Sequence, residues 1–505
     1  MMHASDRATA DKRRRLFLSV PNNIVSVVVR FALVCPPSSI QPLPIIIVMS
    51  DYIVPVPFRR PVADPQPNWG ALTSVANKAP GFKTNHKVAI DRMCEMRRRI
   101  VETVTVPKMP TAAAQESFIS AVLLPYGHHL VHAQRHLPLA GGSAPDAAGG
   151  ASGAAAAPAE GSSGPVSFCW RGAWDGGSSK STLQTSTSGG LELASVVWDV
   201  AAAYSWMGSM EVIKMTPDAI KAAFRYFQCA AGAFGSLGGD AAGTSDGAAA
   251  AVVRLNRGDS VGDFDGSMIA FCYKLCLAHA HHCGFLKAEA EMRDKRVLLS
   301  KLAADGAALY ETACNVIVNA SAWGLAGQPA AAFTDLIRCA RAAGKVLRAR
   351  GHVFLAEELA SVDKKGNIGL AIAHLNKALK CLPHESVRDT IDSWVTAVNN
   401  SAVELHNTLS SRNGMVYFDP VPGSVDELVA PGRPLGKAIP PFSSLAQMDP
   451  AATEADPFTG LVPQHAVAFA AKFRERLSDE LTAVTMATLG SRSKGSDAIG
   501  AMGVR

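Results

Sequence analysis

Long apolar runs, nucleotide-binding loops and nucleophile elbows are all missing from this 505-residue chain, and each absence removes a class of function. No run reaches the ~18 apolar residues that a membrane-spanning helix needs. The most apolar N-terminal stretch, RRRLFLSVPNNIVSVVVRFALVC, is interrupted by Pro21, Asn22, Asn23 and Arg30, which spoils it as a signal sequence too. The ten cysteines form no C-x-x-C pair, which argues against a disulfide framework and for reduced, buried thiols in a cytosolic protein. There is no G-x-S-x-G elbow, no G-x-x-x-x-G-K-[ST] loop and no Rossmann fingerprint with its acidic residue. Aromatic residues are scarce at 7%, and charged residues at 18%. The formal charge is +6, but residues 1–48 hold six basic and two acidic side chains, leaving the other 457 at only +2. No basic stripe interleaved with aromatics appears, which excludes a nucleic-acid track. The run Arg97–Arg99 reads as a solvated helix face.

What is present is hydrophobic residue, 48% of the chain, much of it alanine in runs that favour helix. Residues 72–107 and 113–136 read as helices. Tyr52–Phe58 (YIVPVPF) reads as an extended edge segment, because Pro55 and Pro57 cannot donate to a sheet on both sides. It is expected to pair with the alternating Val166–Trp170 in a small sheet. Two low-complexity stretches, about 140–165 and 238–262, lack periodicity and read as flexible insertions. The helical pair GLELASVVWDVAAAYS and DAIKAAFRYFQCAAGAF lies between them, and from Ser267 helix follows helix. Ile220, Ala223, Phe227, Ala230 and Phe234 share one face, as do Ile368, Ala371, Leu375, Leu379 and Leu382. No 34-residue period runs through the chain, so it is not a plain tandem array. Residues 415–463 are proline-rich and are expected to run extended over the helical body. A last helix is expected from Pro463, with a stripe of Ala466, Ala470, Phe473, Leu477, Leu481 and Val484. Residues 1–48 read as a disordered or mis-annotated extension, 49–485 as the folded domain, and 486–505 as a disordered tail.

Three constellations invite a chemical reading. Cys272, Cys276, His279 and Cys283 share a helical face and are soft zinc ligands, but four ligands along one helix span too far to converge on one ion. The favoured reading is a small-residue packing face, with His281 and His282 outside it. His128, His132 and His136 recur every four residues without an H-E-x-x-H base and read as solvated or capping. Glu192 and Asp199, about 10 Å apart along a helix, read as buried carboxylates paired with cations or helix N-termini. No catalytic residue, metal or cofactor is expected.

In order along the chain, YIVPVPFRRP, VSFCWRGAWDGG (Val166–Gly177), LELASVVWDVAAAYS (Leu191–Ser205), AIKAAFRYFQCAAGAF, LAHAHHCGFLKAEAEMRDKRVLLSKLA, VYFDPVPG, LGKAIP and DPFTGLVP resemble the motifs of the BRO-one domain. That domain is the N-terminal module of the ALIX family of endosomal-sorting adaptors, and the likeness covers roughly residues 49–480. Asp199 stands where the family usually has Asn. The resemblance implies a mostly α fold: a banana-shaped helical solenoid with a tetratricopeptide-like core and a small N-terminal β-sheet.

It also implies a non-enzymatic, cytoplasmic adaptor recruited to endosomes, acting in endosomal sorting, multivesicular body formation or membrane scission. Its partner would be the C-terminal amphipathic helix of a Snf-seven-type ESCRT-III subunit. Carried over residue by residue, the site's lysine falls on Lys221 and its two aliphatic residues on Leu298 and Leu302. Its aromatic wall falls on Gly284, with Phe285 adjacent and placed to take over the role. The spacing of Leu298 and Leu302, one helical turn, suits a groove for a partner helix. Set against fuller members, no long coiled arm and no prenylation box are expected here, and residues 341–380 hold no tyrosine of the kind that some members phosphorylate. Membrane association is therefore expected through the partner or a weakly basic surface. The alternative on the same fold is a scaffold for another signalling client, pH-response or GTPase-linked.

Overall fold

A computed structural model describes residues 53–62, 67–105, 111–137, 139, 166–174, 183–186, 189–238, 262–319, 331–362, 366–432, 435–440, 456–462, 466 and 469–486. All belong to one compact unit, Ile47–Arg505. The N-terminal part contains strand β1 (Arg60–Pro61), helices α1 (Trp69–Asn77), α2 (Thr84–Thr105), α3 (Ala112–Phe118) and α4 (Leu124–His136), then strands β2 (Phe168–Arg171) and β3 (Leu183–Ser186). Then come α5 (Gly189–Ile213), α6 (Pro217–Gly238), α7 (Gly266–Glu291), α8 (Arg296–Asn319), α9 (Ala331–Ser361), α10 (Asn367–Cys381) and α11 (Asp389–Arg412). A final helix, α12, spans 469–486. From α5 to α11 each helix packs on the next, the solenoid-like arrangement that the amphipathic periodicity calls for.

The small sheet has the order β1-β2-β3, antiparallel throughout. Its first strand is not the expected one. Residues 54–59 form no strand, and Arg60 and Pro61 pair with Arg171 and Trp170 instead. The prolines explain the shift. The backbone before Arg60 is bonded to helix α5 rather than to a strand: Val56 N–H donates to Ser205 Oγ (3.1 Å), and Trp198 Nε1 donates to Pro57 O (3.0 Å).

The helix expected over 72–107 is two helices, broken at Pro80-Gly81, where Gly81 takes φ +81°. The helix expected over 113–136 is interrupted by a π-turn, Ile119–Leu123. Helix α5 is buried along nearly its whole length, Met210 being its one exposed residue. The stripe of α6 is fully confirmed: Ile220, Ala223, Phe227, Ala230 and Phe234 are all buried. Trp198 of α5 meets Trp174, Phe234 and Phe264 edge-on, filling the space between α5, α6 and the sheet end.

The carboxylates of α5 bind the N-terminal part together. Glu192 accepts from Arg97 Nε on α2 (2.9 Å), Tyr126 Oη on α4 (2.8 Å) and Trp170 Nε1 on β2 (2.5 Å). Arg97 is fully buried, so it is a structural cation and not part of a solvated face. Arg98 and Arg99 follow that expectation; both are exposed, Arg98 between Glu95 and Glu102. Asp199 accepts the Arg59 N–H (2.8 Å), while the Arg59 guanidinium pairs with Asp263 (3.1 Å) and donates to Ser195 (2.9 Å) and Gln184.

Candidate partner-binding site

The segment after α11 decides which surfaces of the helical layer stay open. It leaves α11 through a π-turn (Asn413–Tyr417), with Phe418 in the left-handed region at φ +51°. It then runs extended, as its prolines predict, across α10, α9, α8, α7 and α6 in reverse chain order. Asp419 accepts the Ile368 N–H at the start of α10 (3.2 Å), and Glu427 pairs with Lys377. Leu428 lies over Gly351 of α9, and Gly432 N–H donates to Asp305 of α8 (2.8 Å). Leu435 covers Gly284 of α7, and Ile439 N–H donates to Gln228 O of α6 (2.9 Å). The approach is closest at Gly232, where a Cβ would sit 2.0 Å from the Ile439 carbonyl oxygen. Only glycine lets the strap backbone lie directly on that helix.

His281 couples the strap to α8. Its Nε2 lies 2.9 Å from the Leu302 carbonyl, which can only accept, so Nε2 carries the proton. Nδ1 is then the acceptor for the Leu435 N–H at 3.2 Å. The ring must be neutral to serve both, and burial holds its pKa below the ordinary value despite the opposing Leu302 carbonyl and Asp305. His281 and His282 are both fully buried, contrary to the expectation that they lie outside the packing face. The small-residue face itself is where it was expected: Cys272, Cys276 and Cys283 are fully buried, and His279 nearly so. Burial pushes all three thiols up and His279 down to about 3, the protonation state of inert packing residues. Among the described residues, no group of three or more His, Cys, Asp or Glu could hold a metal ion.

The proposed docking residues are distributed over three neighbouring helices. Lys221 is exposed on the second turn of α6. Leu298 is 40% exposed on the first turn of α8, with Leu302 half-buried one turn later. Helix α7 packs against both α6 and α8 and lies between them. Its Phe285 is a core residue, 1% exposed, with its ring edge-on to Phe354 at 6.2 Å. It therefore presents no wall to solvent, and the role given to it on sequence is corrected. Gly284 differs from expectation as well: its outer side is filled by Leu435 Cδ1, 2.6 Å from where a Cβ would stand. The aromatic ring beside it is Phe224, 3.6 Å from the same point and one turn along α6 from Lys221.

Phe224 and Leu435 are thus the residues that sequence reasoning missed. The i, i+3 spacing of Lys221 and Phe224 was a usable signal. Leu435 was not findable that way, because its contact spans some 150 residues of chain and depends on the strap's register.

A second cluster lies at the other end of the body. His128 and His132 share a proton between Nε2 atoms 2.9 Å apart; His132 and His136 both face Asp456 Oδ2, at 3.2 Å and 3.0 Å. His128 and His132 are buried, not solvated, and with His136 they pin the segment containing buried Phe458 and Leu461 against α4. Burial alone raises the Asp456 pKa, but the Phe458 N–H and the two rings outweigh it and leave it below the ordinary carboxylate value.

Residues 157–480 match the family model described as BRO1-like domain. Human tyrosine-protein phosphatase non-receptor type 23 is 24% identical over 281 residues, 54% of this chain and 16% of the relative. The mouse protein of the same name is likewise 24% identical, over 15% of its length. The chain therefore spans about a sixth of these curated relatives. Among solved structures, the "ALIX BRO1 CHMP4C complex" aligns with TM-score 0.55 and 17% identity, over 78% of this chain and 97% of that one. The structure described as "Structure basis for endosomal targeting by the Bro1 domain" gives 0.55 and 15%, over 82% and 99%. Both likenesses are of fold. No helix among the described residues is long and apolar enough to cross a membrane.

Proposed function

The chain belongs to the BRO1-like domain family, and from that membership we propose that it is a non-enzymatic adaptor which docks an amphipathic helix of an ESCRT-III subunit. The partner we assign is the C-terminal helix of a Snf-seven-type subunit, and the setting is endosomal sorting, multivesicular body formation or membrane scission. Recruitment from cytoplasm to endosomes would follow from that partner. The observation that carries the reading is the exposed Leu298, one turn from half-buried Leu302 at the start of α8. An apolar helix face accepts i, i+3, i+4 anchors of a partner helix. Lys221 and Phe224 on α6 supply a cation and an aromatic edge to the same layer. The likeness in fold to a chain solved with CHMP4C supports the assignment. The buried, protonated thiols of α7 favour an adaptor over an enzyme, since a nucleophilic cysteine needs a lowered pKa.

Titrating the full chain with a peptide of the subunit's C-terminal helix tests this. Wild type binds, and Leu298→Asp weakens binding by at least about tenfold, as loss of a central apolar anchor does. Because Leu298 is exposed, the variant stays folded. Absence of wild-type binding, or equal binding by the variant, refutes the assigned pocket. One observation favours a second reading, a different signalling client on the same fold. Leu435 already fills the side of Gly284 where an aromatic wall was expected. Affinity capture that returns a pH-response or GTPase-linked protein without any ESCRT-III subunit would support that reading.

A further inference from the structure

Helix α12 stands apart from the rest of the molecule in that every residue of 469–486 is exposed. Phe469, Phe473, Leu477, Leu481 and Val484 are between 46% and 72% exposed. At 100° per residue they make one apolar stripe about 120° wide that follows the i, i+4 row of the helix. An isolated helix of this length is marginal in water, and a continuous apolar stripe is the usual mark of an interaction surface.

The charges beside the stripe identify its occupant. Arg476 and Glu480 lie next to each other along one edge of it. If two copies of α12 pair in parallel, each edge of one helix faces the opposite edge of the other, which sets Arg476 toward Arg474, like charge on like, and leaves Glu480 without a basic partner. If they pair antiparallel about a two-fold axis near Ser478, Arg476 of each copy faces Glu480 of the other, twice over. The polar residues as a whole are ordered the same way, Lys472, Arg474 and Arg476 with one acid (Glu475), then Asp479 and Glu480. The helix carries equal numbers of acidic and basic groups, whereas an anionic bilayer selects a basic polar face. We propose that α12 pairs antiparallel with α12 of a second copy of this chain, through the Phe473–Leu477–Leu481 row, with reciprocal Arg476–Glu480 contacts setting the direction. The inference is independent of the docking site on α6 and α8.

A single helix crossing is small beside a standard interface, so the dimer is weak, with a dissociation constant on the order of 10–100 μM. Sedimentation velocity on the full chain, from about 1 to about 200 μM, shows it as a concentration-dependent rise toward the dimer. Glu480→Arg and Arg476→Glu, each alone, turn both reciprocal contacts repulsive and weaken association about tenfold. The double variant R476E/E480R restores it to within about threefold of wild type. These positions are exposed, and circular dichroism confirms that the helix persists. A wild-type chain that stays monomeric throughout overturns the proposal. So does a double variant no better than the singles, or a monomer that instead floats with phosphatidylserine vesicles.

Discussion

Asp199 is the buried group whose behaviour is most open to a quantitative test. It is fully buried, its Oδ1 accepts the Arg59 N–H, and its Oδ2 has no hydrogen-bond partner. Burial raises its pKa well above the ordinary 3.8; the Arg59 N–H and guanidinium oppose this, and Glu192 and Asp263 add to it. The Arg59 guanidinium, the nearest cation, is already engaged by Asp263. Asp199 is therefore held as the neutral acid, close in shape and charge to Asn. That accounts for an Asp at a position where Asn is usual in the family. Because the folded pKa is raised, the stability this group contributes is greatest below 3.8 and is lost as pH rises toward the folded pKa. Asp199→Asn removes that dependence and keeps the acceptor for Arg59. While the folded acid holds its proton, wild type loses about 1.4 kcal/mol per pH unit above 3.8 relative to the variant. Urea unfolding of both proteins across that range measures it, since every other titrating group cancels in the difference. A difference that does not change with pH, or a variant destabilised at every pH, refutes the reasoning.

Arg97→Met leaves Glu192 buried against Tyr126 and Trp170 without its cation, so stability falls by about 3–5 kcal/mol in denaturant unfolding. Gly232→Ala places a Cβ on the Ile439 carbonyl; we expect a loss of about 1–3 kcal/mol and faster hydrogen exchange over 437–440, while the rest of α6 stays protected. His279, His281 and His282 are held neutral by burial, with folded pKa values below the ordinary 6.5 and about 3 for His279 and His282. Their contribution is present above 6.5 and lost as pH falls, so Tm drops steeply below pH 6.5, and exchange at Leu435 rises with it; a flat Tm between pH 6.5 and 4.5 contradicts this.

The fold was largely legible because the pattern that encodes it is local. The stripes of α6 and α10 repeat every three or four residues, and a helix with such a stripe has to bury it. The break between α1 and α2 was also written locally, in Pro80-Gly81, and was passed over because the apolar period resumes after it. Misplaced residues share a different cause. Arg97, His132, His281 and Phe285 are polar or aromatic side chains whose burial depends on a partner far along the chain: Glu192, Asp456, Leu435 and Phe354 respectively. Nothing in their neighbouring sequence signals that partner. The proposed docking residues divide the same way. The exposure of Lys221 and Leu298 agrees with their helical phase, whereas the loss of Gly284 to Leu435 follows only from where the strap lies.

The sequence by itself determined a chain of amphipathic helices with an extended, proline-rich return, since propensity, periodicity and proline chemistry act over a few residues. The tertiary structure alone decided that Asp199 is held well above the ordinary carboxylate range. It also decided which glycines admit the strap and which aromatic ring stands beside Lys221. Those outcomes rest on burial and on contacts between residues far apart in the chain, for example Leu435 with His281 and Ile439 with Gly232.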